Sequence, residues 1–427
     1  MKILLLTHFF PPEIGPAQGR LLETAIDLKS AGHDVLVLTT FPNYPSGIVP
    51  PQYRGKRFLR EEIEGIPVVR SWLYTSEGRG TAGRSASHLS FAASSLLAGL
   101  RLGFRPDVVA VDMHPIFLCV SALVLGRLWR APYVLNACDL IPEQAVAYGV
   151  VSNPLVISVT RWLARVVCAN ATMIVPFTAG ILGMLEERGI PSARMRLIYY
   201  GVDQDLFDDR SRWQALPDGF PSRDDAEFVV TYAGNLGPAY ALDAVVEAAR
   251  MIEDEGEAGT RFWFVGDGSE RAHLEDRVHA LGLKNVTFTG QIPRRSMPAL
   301  YEQSDICLVS LRQAEFVRRA ALSSKVFEGM AAGIPIVVVG EGETADLVLE
   351  AGAGLVVPSA QSERLARVLM DLRKAPERRR EMGLNGRRFA AHRFTRALRS
   401  SQYEATLSRA LSRPDRESSL LGKGEVG

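Results

Sequence analysis

Residues 228–237 read FVVTYAGNLG. A run of aromatic and β-branched residues suits a buried strand, and the glycine, asparagine and second glycine that follow turn the chain toward a helix. Apolar residues at helical spacing arrive at once, over Leu242–Ile252. The same grammar opens the chain. Ile3–Leu6 is an apolar run, THFFPPEIGPAQGR (7–20) is a Pro- and Gly-containing loop, and Gly19–Ser30 has helical spacing. Either turn, taken alone, reads equally as a tight strand–helix connection. Neither YAGNLG (232–237) nor VGDGSE (265–270) completes a three-glycine dinucleotide fingerprint.

Outward from these two heads the alternation continues. After the first come runs at Val35–Leu38, Val108–Val111, Tyr133–Leu135 and Met173–Val175, with a helical stretch at Phe117–Trp129. After the second come Phe262–Val265, Val286–Thr289, Ile306–Val309 and Ile336–Val339, separated by helical Glu270–Leu281 and Lys325–Ala332. Short apolar strands alternating with helices indicate parallel sheets covered on both faces. Two such series predict an α/β protein of two Rossmann-like, doubly wound domains, at residues 1–205 and 228–385. Residues 206–227, polar, acidic and Pro-containing, read as a linker. Residues 386–412 read as a C-terminal helical segment crossing back to the first domain, and 413–427 as a disordered tail. Ligands of open parallel sheets bind beyond the carboxyl ends of the strands. Two domains facing across a cleft would therefore hold two substrates.

Composition narrows the class. The chain has 427 residues, 47% of them hydrophobic, and 49 basic side chains against 48 acidic ones. That near-neutral balance excludes a dedicated nucleic-acid binder. Cys119, Cys138, Cys168 and Cys307 show no metal-ligand or redox spacing. MKILLLTHFF is followed by PPE and not by a small-residue cleavage site, so it reads as a first strand and not a leader. Pro115–Gly126, the longest charge-free apolar run, is far short of the ~20 residues that span a bilayer. A cytoplasmic location is expected.

The most informative segment is SSKVFEGMAAGIPIVVVGEGETADLVLEAGAGLVVP (323–358). Lys325 and Glu328, three apart, share one helix face. The helix N-terminus, Lys325 and Ser324 make a cradle for a diphosphate, and a carboxylate one turn on can accept two vicinal ribose hydroxyls. The bland alternative is an exposed Lys–Glu pair on a surface helix. Gly15 likewise lies where backbone could approach a phosphate, or is a spacer in a Pro-rich turn.

Taken with FPPEIGPA, GHDVLVLTTFPNYPSG, PQYRGK, RAPYVLNACDLIPEQAVAYGV, IYYGVDQDLF, YAGNLG and FVGDGSE, this segment resembles the retaining, GT-B-fold glycosyltransferases of family four. The likeness spans nearly the whole chain, and it is strongest to the branch that builds bacterial surface polysaccharides, including aminosugar transferases of O-antigen and colanic-acid type. The resemblance implies a nucleotide-sugar donor, a UDP-sugar or UDP-N-acetyl aminosugar, and a glycan or polyprenyl-diphosphate-linked acceptor. It implies that Glu328 holds the ribose, Lys325 the diphosphate, and that Gly15 and Gly234 lie near phosphate. It places His114 facing the transferred sugar, Gln291, Ile292 and Pro293 at the base, and Glu343 on an acidic position near the cleft. Neither a cofactor nor a metal is expected.

The departures are specific. A first family glutamate, eight residues before Glu328, is Ala320 here; two basic residues after the second-domain glycine are Asn235 and Tyr240; the second glycine of the first loop is Pro16. Diphosphate charge then falls to Lys325, with Arg312, Arg318 and Arg319 as further candidates. Asp139 and Glu143, in DLIPEQ, line the acceptor side, or Asp139 caps a helix near Pro142. His8 reads as a core histidine with a satisfied ring. Asp203–Asp205 has a D-x-D spacing but lies in an interdomain turn. Residues 361–400 carry twelve Lys/Arg against four acidic residues, a solvated face or a contact with an anionic membrane at the inner leaflet. Ser85–Phe104, with Arg79, Arg84, Arg101 and Arg105 in and around it, is a second candidate for that contact, or a helix packed on the first sheet. Two other functions fit the same architecture, a nucleotide-sugar-binding partner subunit without catalysis and a sugar-nucleotide epimerase.

Overall fold

The apolar run behind Met1 becomes the middle of a sheet. In the computed structural model, which describes residues 1–412 except 14, 45–46, 76–80, 148, 150 and 258, that run is β1 (Lys2–Leu6). It is followed by β2 (Asp34–Thr40), β3 (Phe58–Ile63), β4 (Ile66–Ser71), β5 (Val108–Asp112), β6 (Tyr133–Ala137) and β7 (Met173–Pro176). Their order is β3-β4-β2-β1-β5-β6-β7, parallel throughout except for the β3–β4 hairpin. The hairpin is absent from the sequence expectation. Its signal was the two-residue Glu64-Gly65 turn, with φ of 50° and 78°, the doubly left-handed geometry that matches strand twist.

The second sheet comprises β8 (Phe228–Ala233), β9 (Thr260–Val265), β10 (Val286–Gly290), β11 (Ile306–Ser310), β12 (Ile336–Val339) and β13 (Gly354–Val357). It is all parallel in the order β10-β9-β8-β11-β12-β13. All six residues of β8 are buried, because helices cover both faces. Val230 and Tyr232 join one core with the helix Asp243–Asp254, while Val229 and Ala233 pack toward Trp263 and Leu300. Each sheet reverses direction at its first strand, between β1 and β5 and between β8 and β11, and such switch points open crevices at the strands' carboxyl ends.

The chain forms two compact units, whose boundaries differ from those expected. The first holds Met1–Phe177, Met184–Ile198 and the chain from Ser400; the second holds Thr178–Gly183 and Tyr199–Arg399. Packing explains the shift from 205 to 199. The Tyr199 ring lies 5.3 Å from Phe394 and 6.4 Å from Phe327, and Val202 bridges to Thr395. The expected linker, 206–227, is bound to the second unit. Leu206 and Phe207 are buried in one of its cores, and Leu216 and Phe220 pack on Trp263. The expected helical segment 386–412 is two helices, Pro376–Arg393 and Arg396–Ser412. The second returns to the first unit, where Tyr403 Oη donates to Asn136 Oδ1 at 3.0 Å. The expected tail, 413–427, lies outside the described residues, as does Arg79. No helix among the described residues is long and apolar enough to cross a membrane.

Candidate active site

In the second unit four of the six strands end in glycine. Gly234 follows β8, Gly266 follows β9, Gly290 closes β10 and Gly340 follows β12. Two of these admit no side chain. Gly266 has φ 139°, and a Cβ there would sit 1.9 Å from the Gly234 carbonyl oxygen. Gly234 has φ 142°, and its Cβ would sit 2.6 Å from Lys325 Cε and 2.7 Å from Nζ. The glycine therefore exists to let the lysine in.

Lys325 rides on the helix Ser324–Ala332, which begins at Ser323 without a side-chain cap. Its side chain is buried, and its ammonium lies over two aromatic faces, 4.8 Å from the Tyr232 ring centre and 4.6 Å from that of Tyr240. Rings stabilise a desolvated cation by about 2 kcal/mol each at best, far less than water does. Burial accordingly pushes the Lys325 pKa down to about 8, against an upward pull from Glu328. No carboxylate of the described residues is in ion-pair contact with it. A buried cation at an uncapped helix N-terminus is a site made for an anion.

Around it, Tyr232 Oη donates to the Asn235 carbonyl at 2.7 Å, and the Asn235 side chain lies against Gly237 and Gly268. Asn235 and Tyr240, the two departures from the family's basic pattern, are thus both at the lysine's turn, one shaping the backbone and one covering the charge. Ser310, the last residue of β11, has a fully buried hydroxyl with no hydrogen-bond partner. Nothing in the sequence singled it out. One turn from Lys325, half-buried Glu328 accepts from Tyr301 Oη at 3.5 Å. Tyr301 is buried and its hydroxyl pKa is raised by burial, so it stays a donor.

Other expected residues lie elsewhere. Ser324, expected in the diphosphate cradle, is the first helical residue, and Ser323 occupies the cap position without a side-chain cap. Ser323 N donates to Thr344 Oγ1 at 3.1 Å. Gln291 is exposed after β10, whereas Ile292 packs on the core and can offer only backbone. Arg312 is exposed. Arg318 and Arg319 line a polar recess with Glu341, Glu343 and Asp346. Glu343 is engaged there, accepting from Ala179 N at 2.7 Å and Gly180 N at 2.9 Å, so it is a helix cap in this structure and not an open acceptor. Ala320 is buried, and its carbonyl takes the Thr178 hydroxyl. Asp203 caps the helix Gln204–Asp208 and pairs with Arg212 and Arg396. Its D-x-D is structural.

The first unit has its own cluster at the β1–β5 switch point. His8 follows β1, His114 follows β5, and His88 comes from the helix Thr81–Leu100. Ring centres are 5.2 Å apart for His8–His88 and 5.8 Å for His88–His114, and His114 stacks on Phe9 at 5.9 Å. The expectation of a satisfied His8 is corrected, since Nδ1 of His8 and of His114 both lack a hydrogen-bond partner. Burial lowers the His8 pKa well below the usual value, and that of His88 to about 4, aided by the neighbouring imidazoles.

Gly15 starts the helix Pro16–Ser30, where a Cβ would strike the Gln18 amide. The loop before it contributes buried Glu13, which accepts from Asn43 N at 2.6 Å and Tyr44 N at 2.8 Å. The motifs PPE and FPNY are therefore one contact. Asp139 takes the Gln144 side-chain amide at 2.6 Å; it is not a cap for the helix, which begins at Glu143. Glu143 is ion-paired with Arg188 at 2.5 Å. Neither carboxylate is an idle base.

Comparison with known proteins bears on both units. Residues 219–389 match the family described as Glycosyl transferases group 1, and residues 17–201 the Glycosyl transferase 4-like domain. WcaI of Escherichia coli K12, named for a colanic acid biosynthesis glycosyl transferase, is 27% identical over 81% of this chain and 84% of its own. The 2-deoxystreptamine N-acetyl-D-glucosaminyltransferase of Streptomyces fradiae is 25% identical over 89% of this chain and 90% of its own. Among solved structures, sucrose-phosphate synthase from Thermosynechococcus elongatus has a TM-score of 0.72 at 18% identity, covering 96% of this chain and 99% of that one. Anabaena HepE in complex with UDP-glucose has 0.69 at 17% identity, covering 96% and 100%.

Proposed function

We propose that this chain, which belongs to the group 1 glycosyltransferases of GT-B fold and transfers a sugar from a nucleotide donor, uses a UDP-N-acetyl aminosugar and retains the anomeric configuration. The acceptor is a glycan or a polyprenyl-diphosphate-linked sugar in surface-polysaccharide synthesis. One observation carries the donor assignment, the buried ammonium of Lys325 between Tyr232 and Tyr240 beside Gly234. The curated names favour an aminosugar and a polysaccharide. One relative is an N-acetyl-D-glucosaminyltransferase and another is named for colanic acid synthesis, and UDP-glucose occupies a protein of the same fold.

The chemistry follows from the charge. As the glycosidic C–O bond of the donor breaks, negative charge grows on the diphosphate oxygen. Lys325 and the first-turn N–H groups of Ser324–Ala332 are already in place to stabilise it, without reorganisation. Glu328 holds the ribose hydroxyls. The acceptor hydroxyl attacks on the face that the diphosphate leaves, and its proton passes to the departing phosphate oxygen, so no pair of catalytic carboxylates is needed. No divalent cation is assigned, because the D-x-D carboxylate Asp203 is committed to its own helix and two arginines.

Mass-spectrometric turnover of a panel of UDP- and GDP-sugars with lipid-linked and free glycan acceptors tests this reading, with and without EDTA. Transfer from a UDP-aminosugar in both conditions is the expected result. Glu328→Gln should weaken donor binding by about 1.5–3 kcal/mol through loss of charged hydrogen bonds. Exclusive use of GDP-sugars, a requirement for Mg²⁺, or an unchanged donor Kd in Glu328→Gln would each overturn the corresponding part.

A further inference from the structure

Large hydrophobic side chains are exposed unevenly. Among the described residues, Leu281, Leu349 and Leu384 are those of the second unit, whereas the first unit exposes many more, with three neighbouring helices bearing a dense set. Thr81–Leu100, Ile116–Trp129 and Pro154–Asn170 pack side by side as one layer. Small residues permit the contact, as Gly99 leaves room for Leu125 and Ser121 Oγ donates to the Ala92 carbonyl at 2.7 Å. The outer faces show Leu89, Leu97 and Leu100 on the first helix and Val120 and Leu128 on the second.

The third helix is the most pronounced. Leu155, Val159 and Trp162 recur at helical spacing on its outer side, and Leu155 and Trp162 are 72% and 61% exposed. An exposed tryptophan costs a water-facing surface more than most residues do. The same three helices contain Arg84, Arg127, Arg161 and Arg165 and not one Asp or Glu. Arg161 lies 3.8 Å from Glu143, but the helices themselves add no carboxylate, so their outer face is net positive. Apolar side chains in that setting complement an anionic lipid surface, where the rings and aliphatic tips enter the headgroup boundary and the guanidinium groups meet phosphate.

The basic segment 361–400 is a weaker candidate once its partners are known. Arg373 and Lys374 pair with Glu257, Arg379 with Asp305, Arg387 with Asp208, Arg393 with Glu350 and Arg396 with Asp203. Six of its twelve basic side chains are thus engaged by five carboxylates of their own unit.

We infer that the outer face of this three-helix layer, centred on Leu155, Val159 and Trp162, is the surface by which the protein docks on an anionic bilayer. The inference rests on the proposed reading for its purpose, the presentation of a lipid-linked acceptor to the first unit. The test is vesicle co-sedimentation of the full chain, with phosphatidylglycerol–phosphatidylcholine against phosphatidylcholine alone, at low and high salt. The expected result is binding to the anionic vesicles. The triple variant Leu155→Glu/Val159→Glu/Trp162→Glu should partition about tenfold less or weaker still, Arg165→Glu should fall measurably, and Arg378→Glu/Arg388→Glu should bind as the parent does. Unfolding temperature and turnover of donor with a water-soluble acceptor, both unchanged, show that the variants are folded. Parent-like binding by the triple variant, or loss of binding in Arg378→Glu/Arg388→Glu, overturns the inference. So does a parent that fails to bind vesicles but forms a dimer that the triple variant cannot form, since the occupant would then be a second copy. Absence of all sugar transfer would instead sink the proposed function and leave the vesicle result standing.

Discussion

Lys325 carries a conflict between stability and function in a single atom. Its folded pKa of about 8 lies below the ordinary 10.5 of the unfolded chain. Below pH 8 it is charged in both states and the folded state bears the desolvation cost. As pH rises from about 8 to 10.5 the folded lysine is neutral while the unfolded one is still charged, and the cost is relieved. Donor binding runs the other way, because the diphosphate needs the charge. Lys325→Met should therefore raise stability in urea at neutral pH by roughly 1–3 kcal/mol and abolish measurable donor binding by calorimetry. In the parent, donor Kd should weaken by up to about tenfold per pH unit above pH 8. A Kd flat from pH 7 to 9.5, or a destabilised Lys325→Met, would remove the lysine from the diphosphate site. Glu343 teaches the complementary lesson. Its position in the sequence suggested a ligand group, yet both its oxygens are taken by the N–H groups of Ala179 and Gly180.

At the scale of elements, the histidine cluster shows what strand order adds to sequence. His8, His88 and His114 are far apart in the chain and meet because β1 and β5 are neighbours and the helix Thr81–Leu100 runs beside them. The His8 and His88 rings, buried and 5.2 Å apart, cannot both be charged at such spacing. His8 and His88 have pKa values pushed down, His88 to about 4, so in the folded state they are neutral where the unfolded chain takes up protons. Stability of the first unit is then intact above pH 6.5 and falls as pH drops from 6.5 toward 4. We expect His88→Gln to reduce the loss of unfolding free energy between pH 7 and pH 5 by about 1–2 kcal/mol, measured by urea denaturation. An identical pH slope in the variant would show that the cluster is not the source.

For the whole molecule, the last helix is the element whose removal should be felt farthest from its place in the chain. Arg396–Ser412 ends in the first unit, where Tyr403 donates to Asn136, Asn136 Nδ2 donates to Asp112 at 2.9 Å, and Asp112 pairs with Arg20 at 2.6 Å. Every member of this chain of polar groups is buried. Leu407 and Ala410 bury beside it, and Glu404 meets His33. Tyr403→Phe should cost about 1–2 kcal/mol, because Asn136 Oδ1 loses its donor inside the fold. The loss should appear as faster proteolysis of residues 1–177, with donor affinity at the second unit unchanged. Equal weakening of donor binding would mean that the network serves the second unit as well.

What the sequence determined by itself was everything that depends on local pattern. Continuous apolar runs marked ten of the thirteen described strands, enough to establish two doubly wound units, and the Gly-Asn-Leu-Gly turn and the Lys-x-x-Glu helix marked the places where Gly234 and Lys325 meet. These survive because strands, turns and helix faces are set by neighbours within a few residues. The tertiary structure decided what depends on distant partners. It paired β3 with β4 at an edge, moved the boundary from 205 to 199 through the Tyr199–Phe394 contact, tied residues 206–227 to the second core and sent Tyr403 back to Asn136. It also committed carboxylates that look like ligand groups in sequence, Glu343, Glu143 and Asp203, to caps and ion pairs. A charged side chain's role is fixed by its desolvation and by the group that faces it, and neither is written in the residues on either side of it.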